Sequence, residues 1–584
     1  MRRPSITSHP TSRRRERGVA SVLAAFWLMA VVATVAVIDI GNVFYQRRLL
    51  QGVADLAASA GVQVIDDACS RAPVTAAGSA GANGFTASGS SSTITTVCGR
   101  WDSKLYAGPT YFAASATPVN AVQVTVAKRV LSFFAGPGRM VTATATAQAV
   151  NVGAFSIGTT TASVDPTVIT SLLNAMLGTS INALQISAAG YAGLAQSRVE
   201  IGDLVTAAGV GTVDQLLALN LTAAQIAKLM LTALQTTHVA NANLSAAVGA
   251  LQTIVNANIP GPATVALGAV NGAAGLLQIG LANTQSALHA TISPFDALMV
   301  TAEVAQAGKS ALNVGTALNL GVVTASMQVQ VIQPPVLAVG EAGQTQAGAW
   351  RTVASSAQLR AYIRVSLGAL PGLGSLGLGS PLIYLPVNIS VAPGQAWLVS
   401  TQCASTQSAS NSVVGVQTGI AQVCVGDAPT NPLASAPFSC SPATLVNVNL
   451  LTIQTAAGFP ANVPASSAVS MTFDGISGNA DDYQTTNSNQ VGGVLYNATL
   501  GLATQLSSPS GLTLKVFGSA TALGSALGQI VGGALLGVVL PLLKPVFNAL
   551  DSILVPVLQL LGAQIGVSTI HGLPPVCGQS QLQY

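Results

Sequence analysis

The sequence is poor in charged and aromatic side chains. Of its 584 residues only 7% are charged and 4% are aromatic, whereas about 25% of the residues of an ordinary soluble domain are charged. The formal net charge is +4, and most of that excess lies in the N-terminal arginines, so the remainder is close to neutral. Binding of nucleic acid needs a concentrated basic surface. The composition therefore excludes a nucleic-acid partner and is typical of an exported envelope protein.

The sequence also lacks the motifs of the common enzyme classes. It has no G-x-S-x-G elbow, no P-loop and no dinucleotide-binding fingerprint. An acidic group (Asp474, Asp481, Asp482) lacks the residue order of a calcium loop, and we predict a solvated loop there. The histidines are isolated and none has metal-ligand spacing, so we predict surface or capping positions for His9, His238, His289 and His571. We therefore predict no catalytic residue, no cofactor, no metal and no enzymatic activity.

Cysteine is scarce, but its number is even and no C-x-x-C motif occurs. Metal and redox motifs need close pairs, so disulfides formed in an oxidising compartment are the favoured interpretation; buried free thiols are the alternative. Cys69 and Cys98 bracket a Gly/Ser/Ala-rich stretch and are the predicted pair. Closing that loop would remove about 3 to 4 kcal/mol of unfolded-state entropy. Three pairings stay open among Cys403, Cys424, Cys440 and Cys577.

What the chain does have is a long uncharged apolar run, from Val19 to Ile38. A helix of roughly 20 residues covers the about 30 Å of a bilayer core. The apolar core of a cleaved signal peptide, the alternative, is usually only about 7 to 15 residues long and ends at a small-x-small site. The residues after Ile38 do not have that form. We predict an uncleaved transmembrane helix over 19–38.

The charges on the two sides of this run set its orientation. Arg2, Arg3 and the arginines of residues 13–17 precede it and have only Glu16 against them. The positive-inside rule therefore places residues 1–18 in the cytoplasm and the bulk of the chain after Asp39 in the periplasm. We predict a single-pass protein of the bacterial inner membrane.

The apolar pattern continues beyond the membrane. From Val43 to Val64 apolar residues recur at steps of three and four without proline, which predicts that the helix extends through 39–66. The same stretch carries a resemblance. Arg17-Gly18, Asp39-x-Gly41 and Leu50-Gln51-x-x-Ala54-Asp55-x-Ala57-Ala58-x-Ala60-Gly61 resemble the N-terminal segment of the TadE/TadG-like proteins of Flp (tight adherence, Tad) pilus assembly. The resemblance implies that five motif residues contact partner helices: Gly18, Asp39, Gly41, Gln51 and Asp55. The alternative for Asp39 is a hydrated position at the membrane interface, and the alternative for Gln51 and Asp55 is contact with water.

The sequence departs from this family in two places. Processed pseudopilins carry a Glu five residues after the cleavage-site Gly, and Leu23 stands at that place. The resemblance is therefore to the TadG branch, which is retained as an anchor. Many TadG-like proteins carry a von Willebrand type A domain with an Asp-x-Ser-x-Ser metal motif, and the string at Asp474 has the wrong spacing for it.

Alternating patterns predict the next part of the chain. Residues 72–96 are Gly, Ser, Ala and Thr without apolar period and predict a loop. Val119–Val126 and Val141–Val150 alternate with period two around a Gly-Pro-Gly turn, which predicts an antiparallel pair. A long anchored helix followed by a small sheet is the outline of a pilin-like module, and we assign the sheet and its disulfide loop to 67–155. Pro118-Val-Asn-Ala-Val-Gln-Val and Phe133-Phe134 are also similar to longer TadG-type proteins.

The remaining chain divides by its hydrophobic period. Helical spacing with Ser, Thr, Asn or Asp caps predicts an Ala/Leu-rich helical domain or insertion over 160–320, and strand-like alternation predicts an antiparallel β domain over 321–518. Whether the helical part interrupts one sheet stays open. Gly524, Gly528 and Gly532 lie four apart in an uncharged run, which favours a packed or membrane-surface helical hairpin over 519–566, with a second span as the alternative. Residues 567–584 are predicted to be a tail.

Together these patterns predict an α+β protein with one N-terminal transmembrane helix. The function predicted by the resemblance is a non-enzymatic component of Flp/Tad-type pilus assembly or secretion machinery, acting through protein contacts in the periplasm. Its predicted partners are the inner membrane, other pilus-assembly or pseudopilin proteins and, as an option, further copies of the same chain. The alternative is a membrane-anchored surface adhesin or ligand-binding ectodomain that shares only the anchor.

Overall fold

A computed structural model shows an α+β fold with one long apolar N-terminal helix. The chain forms two compact units, unit 1 (residues 1–150 and 578–584) and unit 2 (residues 151–577). The structure describes residues 16–65, 69–103, 105–117, 119–134, 137–157, 166–181, 186–241, 243–269, 274–281, 283–313, 318–319, 323–345, 347–367, 383–404, 406–428, 437–448, 451–479, 481–487, 512–516, 519–520, 567–578 and 580–583.

The helices are, in chain order, α1 (Glu16–Gln63), α2 (Ala72–Ala82), α3 (Pro166–Leu177), α4 (Ala188–Gln196), α5 (Ile201–Ala207), α6 (Val213–Leu217), α7 (Ala223–Thr236), α8 (Leu244–Asn256) and α9 (Pro294–Gln306). The strands are β1 (Ser92–Trp101), β2 (Phe112–Ala114), β3 (Ala121–Val130), β4 (Arg139–Gln148), β5 (Val152–Ile157), β6 (Val199–Glu200), β7 (Asn220–Thr222), β8 (Thr264–Ala266), β9 (Leu277–Gly280), β10 (Thr291–Ile292), β11 (Leu312–Asn313), β12 (Leu318–Asn319), β13 (Val323–Gln333), β14 (Leu337–Glu341), β15 (Val353–Ser355), β16 (Gln358–Leu367), β17 (Ile383–Val391), β18 (Gln395–Gln402), β19 (Asn411–Gln417), β20 (Ala421–Val425), β21 (Thr444–Val448), β22 (Leu451–Thr455), β23 (Phe459–Val463), β24 (Val469–Asp474), β25 (Tyr483–Asn487), β26 (Leu512–Val516), β27 (Ser519–Ala520), β28 (Val567–Val576) and β29 (Gln581–Gln583).

Unit 1 is a helix-covered antiparallel sheet with strand order β2-β1-β3-β4-β29. The outer half of α1 packs against α2, β3 and β4, and α2 also contacts β1. The buried side chains of this part of α1 are mostly small: Ala54, Ala57, Ala58 and Val62, together with Leu50. Alternating valines of β3 and alanines of β4 complete this core, as the period-two pattern predicts. Strands β3 and β4 pair as an antiparallel hairpin in which Val126 lies opposite Ala143.

The loop predicted over residues 72–96 is wrong at both ends. Residues 72–82 form α2, and β1 already begins at Ser92. Ala72, Ala76 and Ala80 recur every four residues and are the buried face of α2. Alanines can occupy this close contact with α1 because they need little space. The largest apolar side chain of the stretch, Val74, is exposed, so the pattern does not look like an amphipathic helix.

Residues 567–584, predicted to be a tail, contain two strands. Residues 567–576 form β28 in unit 2, and residues 581–583 form β29, the edge strand of the unit 1 sheet beside β4. Pro574 and Pro575 lie in β28 at a shift of register between Leu573 and Val576, where the ladder is interrupted.

The core of unit 2 includes a sandwich of two sheets. One has the order β25-β28-β5-β14-β9, and the other has the order β15-β18-β19-β24. Phe155, Leu398 and Phe473 are among the side chains buried between them. All pairings in these two sheets are antiparallel except β14 with β9. A third, larger sheet runs through β13, β16 and β17 and takes in strands up to β27.

The helical region is inserted, along the chain, between two strands of one sheet. Helices α3 to α9 come after β5 and before β14 in the sequence, and β5 and β14 pair with each other in the β25-β28-β5-β14-β9 sheet. The strands before Val150 belong to the separate unit 1 sheet, and β5, inside the predicted range 67–155, belongs to unit 2. The hydroxyls of Ser187, Thr212, Thr222 and Ser293 accept N-capping hydrogen bonds, in line with the sequence pattern.

Candidate functional site

The long helix α1 changes its surroundings along its length. From Val19 to Val37 its large apolar side chains are exposed within the chain, whereas from Leu50 onward one face is buried on the unit 1 sheet. The helix is long and apolar enough to cross a membrane by length and composition, and among the described residues it is the one helix that passes that test. Gly18 lies in its first turns.

Asp39 marks the end of the apolar run and binds the β3–β4 connection. Its Oδ1 accepts a hydrogen bond of 2.7 Å from the backbone N–H of Phe133. Nearby, the Asn42 Nδ2 atom lies 3.5 Å from the carbonyl oxygen of Leu131. The sequence reasoning placed Asp39 at the interface or against a partner helix and did not foresee this contact, because 94 residues separate the two groups.

Gln51 and Asp55 form a second polar contact between α1 and the sheet. The Gln51 side-chain amide donates to Asp55 Oδ1 at 2.8 Å and to the Thr144 carbonyl oxygen on β4 at 3.2 Å. Both residues are half-buried, so these bonds replace water at the rim of the helix–sheet contact. This arrangement gives Gln51 a role in the fold of unit 1.

The glycines of α1 fall into two kinds. A Cβ on Gly61 would lie 3.2 Å from the Ala72 carbonyl oxygen and 3.3 Å from the Ala76 Cβ, so this glycine permits the close approach of α2. A Cβ on Gly41 or Gly52 would meet no atom within 4 Å. Packing within the described part of the chain therefore does not require glycine at Gly41 or Gly52, which lie 11 residues apart and so on one helix face.

All six cysteines form disulfides. Cys69 is joined to Cys98 in unit 1, and unit 2 contains the pairs Cys403–Cys577 and Cys424–Cys440. The first pair ties the segment after α1 to β1, and the Cys424–Cys440 pair ties β20 to the segment before β21. The Cys403–Cys577 pair bridges 174 residues of sequence, a partner choice that spacing alone does not provide.

A buried polar cluster in unit 2 was missed by sequence reasoning. Ser156 Oγ donates to Asp296 Oδ2 at 2.6 Å, and His571 Nδ1 lies 2.8 Å from the same oxygen. The Tyr483 ring stacks on His571 with 4.1 Å between ring centroids, and burial, followed by the negative charges of Asp296 and Asp482, raises the pKa of Tyr483 well above its ordinary value. His571 is 2% exposed, so its predicted surface or capping position is wrong.

The geometry of this cluster differs from that of a Ser–His–Asp nucleophile. A Ser–His–Asp nucleophile needs the serine hydroxyl on one imidazole nitrogen and the carboxylate on the other. Here the serine and the imidazole share one carboxylate oxygen, and all three side chains are buried. The cluster joins α9 to β5 and β28, elements that come from distant parts of the sequence.

Two further observations concern ligand and metal binding by the described residues. They contain no group of three or more His, Cys, Asp or Glu side chains placed to hold a metal ion. A cleft of about 240 Å³ lies among α3, the loop before β8 and the end of α9, and Lys309 is the titratable residue of its lining. The predicted helix-packing glycines, Gly524, Gly528 and Gly532, lie outside the described residues.

Comparison with protein families matches residues 18–150, the larger part of unit 1. Residues 18–64 match the family described as Flp pilus-assembly TadE/G-like, and residues 60–150 match the family described as Tad-like Flp pilus-assembly. No curated protein and no solved structure matches the chain. The two matched segments together cover α1, α2 and strands β1 to β4.

Proposed function

We propose that the protein, whose residues 18–150 match two Flp pilus-assembly families, is a non-enzymatic, inner-membrane-anchored component of Flp/Tad-type pilus assembly or secretion machinery. One observation carries the proposal. The two matched segments fold as one module in which the first half of α1 is apolar and exposed while the second half is packed on the sheet. An exposed apolar helix of that length is stable when lipid surrounds it.

The charge distribution supports the orientation. The N-terminal arginines precede the apolar run, which favours a cytoplasmic N-terminus and a periplasmic bulk. Three disulfides fit the same assignment, because they form and persist in an oxidising compartment. Leu23, at the place of the pseudopilin Glu, supports a retained anchor of the TadG branch.

The outward face of α1 is the proposed contact surface for other pilus proteins. Gly41, Tyr45, Arg48, Gly52 and Leu56 lie on this face and are exposed, opposite the face that packs on the sheet. Glycines let another helix approach closely, and Tyr45 and Leu56 supply apolar area beside them. The same face would serve a pseudopilin helix or a second copy of this chain.

A non-enzymatic role is supported by the buried cluster around Asp296. Its serine and histidine share one carboxylate oxygen and all three side chains are buried, so the arrangement ties elements together instead of activating a nucleophile. A screen of the full-length protein in lipid nanodiscs on ester, peptide and glycoside substrates is expected to show no turnover. Turnover abolished by Ser156→Ala in a protein that still folds would contradict this part of the proposal.

A surface adhesin or ligand-binding ectodomain is the second candidate function. It is favoured by the extent of the family match, which ends at residue 150 and leaves the whole of unit 2 without a match. In that case unit 1 would serve as the anchor, and unit 2 would meet the ligand.

Deletion and complementation in the source bacterium distinguish the two functions. We expect deletion to remove surface pili in electron micrographs and the full-length chain to restore them. Gly52→Trp should lower the pilus count by blocking the outward face, whereas Leu105→Trp, at an exposed apolar position between β1 and β2, should not. Normal pili together with lost surface adhesion after deletion would favour the adhesin and overturn the assembly role.

A further inference from the structure

The connection between β3 and β4 exposes apolar side chains. Leu131, Phe133 and Phe134 are 71%, 66% and 60% exposed. This is unusual for a chain in which only 4% of the residues are aromatic. Two adjacent exposed phenylalanines that do not bury each other, with ring centroids 6.5 Å apart, indicate a surface that meets a non-aqueous environment.

Polar contacts hold this connection at the end of the apolar run of α1. The Phe133 N–H donates to Asp39, the first charged residue after that run, and the Leu131 carbonyl lies beside Asn42. Asn42 lies one helical turn beyond Asp39, on the side away from the apolar run, and three helical residues span about 4.5 Å. The connection therefore comes closer to the apolar run as it passes from Leu131, beside Asn42, to Phe133, beside Asp39. Phe133 and Phe134 therefore lie at the depth where the uncharged part of α1 ends.

Cationic side chains flank the apolar connection on the hairpin itself. Lys128 and Arg129 precede it on β3, Arg139 follows it on β4, and all three are exposed. Aromatic and aliphatic groups at the acyl boundary with Lys and Arg just beyond it form the pattern of an interfacial segment, in which the cations meet lipid phosphates. The charges are thus complementary to an anionic lipid surface.

We infer that residues 131–134 are a second membrane contact, inserted at the headgroup–acyl boundary of the bilayer that α1 crosses. The inference rests on the proposed anchoring of α1 and adds a new site to it. A single helix leaves the attached sheet free to tilt and rotate about its axis. Contact at two places, α1 and the hairpin end, sets the orientation of the unit 1 sheet on the membrane, and the bond from Phe133 to Asp39 connects the two places.

Spin labels on the full-length protein test the depth of this segment. The protein is placed in nanodiscs of phosphatidylethanolamine and phosphatidylglycerol, and a nitroxide is attached to one introduced cysteine, because all native cysteines are disulfide-bonded. Phe134→Cys is the test position and Val32→Cys, inside the apolar run, is the deep reference. Leu105→Cys is the matched control, since it is 64% exposed but follows the opposite end of β1, about 30 Å away along the strands.

Accessibility to oxygen and to a water-soluble nickel chelate gives the result. We expect the Phe134 label to be several-fold less accessible to the nickel chelate than the Leu105 label and to lie at a shallower depth than the Val32 label. If the Phe134 label is as accessible to the nickel chelate as the Leu105 label while the Val32 label is deep, the second membrane contact is overturned and the anchor stands. If the Phe134 label is protected only in cells and not in nanodiscs, the surface binds a protein partner, and the second membrane contact is again overturned. A water-accessible Val32 label overturns the anchor and the proposed function with it.

Discussion

At the scale of single residues, Glu303 on α9 is the least expected side chain in unit 2. It is completely buried, and among the described residues neither carboxyl oxygen has a hydrogen-bond partner. Burial raises the pKa of Glu303 well above its ordinary value, because a charged carboxylate would lose its hydration without compensation. The neutral, protonated form is therefore the one that fits the fold.

This proton makes the stability of unit 2 depend on pH. The folded state keeps the Glu303 proton at pH values where the unfolded state, with an ordinary pKa near 4.5, has released it. The free energy of unfolding therefore falls as pH rises through the window between these two values, by up to about 1.4 kcal/mol per pH unit. Glu303→Gln cannot lose a proton, so we expect its stability to fall less over this window in urea unfolding.

Comparison of the pH curves checks the prediction. Glu303→Met removes the same proton without adding an amide, so it should flatten the curve in the same way even if its packing differs. Parallel curves for the wild type and both variants would show that this carboxyl is not the origin of the slope.

At the scale of one element, α1 combines two environments that demand different side chains. Its buried outer half uses alanines and Gly61 to bring α2 and β3 close, and its outward face carries Gly52 with no neighbour. Glycine in a helix costs roughly 1 kcal/mol relative to alanine. The cost at Gly61 is offset by close packing, whereas at Gly52 the described residues supply no such gain.

The two glycines provide a matched pair of substitutions. Gly52→Ala should raise the stability of unit 1 by up to about 1 kcal/mol, because the helix gains and no contact is lost. Gly61→Ala places a methyl group 3.2 Å from the Ala72 carbonyl oxygen and 3.4 Å from Val122 Cγ1, so it should be less stable than Gly52→Ala. Thermal unfolding in detergent measures the stability of both variants. Equal midpoint temperatures would mean that α2 shifts to accommodate the methyl group of Gly61→Ala without loss of stability.

At the scale of the whole molecule, the C-terminal residues of the chain contribute to both units. Cys577 is joined to Cys403 in unit 2, and residues 581–583 then complete the unit 1 sheet beside β4. Unit 2 is thus an insertion in the chain of unit 1, with its own termini held by covalent and hydrogen bonds. The contacts that define this arrangement join residues hundreds of positions apart.

The two disulfides of unit 2 differ mainly in the length of chain they close. Cys403–Cys577 spans a separation of 174 residues and Cys424–Cys440 spans 16. The entropy removed from the unfolded chain grows with the logarithm of loop length, which predicts about 2 kcal/mol more stabilisation from the longer bridge. The double alanine variant of Cys403 and Cys577 should therefore unfold at lower urea concentration than that of Cys424 and Cys440. The reverse order would mean that native-state packing dominates over chain entropy.

The position of β29 also predicts membrane topology. Since β29 pairs with β4, a reporter after Tyr584 should lie on the same side of the membrane as one inserted after Ser90, in the exposed turn before β1. We expect alkaline phosphatase to be active at both places. An inactive enzyme at the C-terminus alone would favour a second span and contradict the pairing of β29.

Local patterns in the sequence were enough for much of the fold. The apolar run before Asp39, the alternation of β3 and β4 and the capped helices between Pro166 and Gln306 are set by neighbours within a few residues, because helix and strand period and N-caps are local properties. The family motif from Arg17 to Gly61 likewise lies in one continuous stretch. From these features alone the α+β class, the apolar anchor helix and the similarity of the N-terminal part to pilus-assembly proteins follow.

Other features were decided by the tertiary structure. The alanines of residues 72–82 form a helix because α1 offers a surface that only small side chains can approach, and residues 581–583 form a strand because β4 leaves an open edge. His571 is buried because folding brings Asp296 to it from 275 residues away. The contact of Asp39 with Phe133 belongs to the same class. Such contacts depend on which distant surfaces meet, and spacing along the chain carries no record of that.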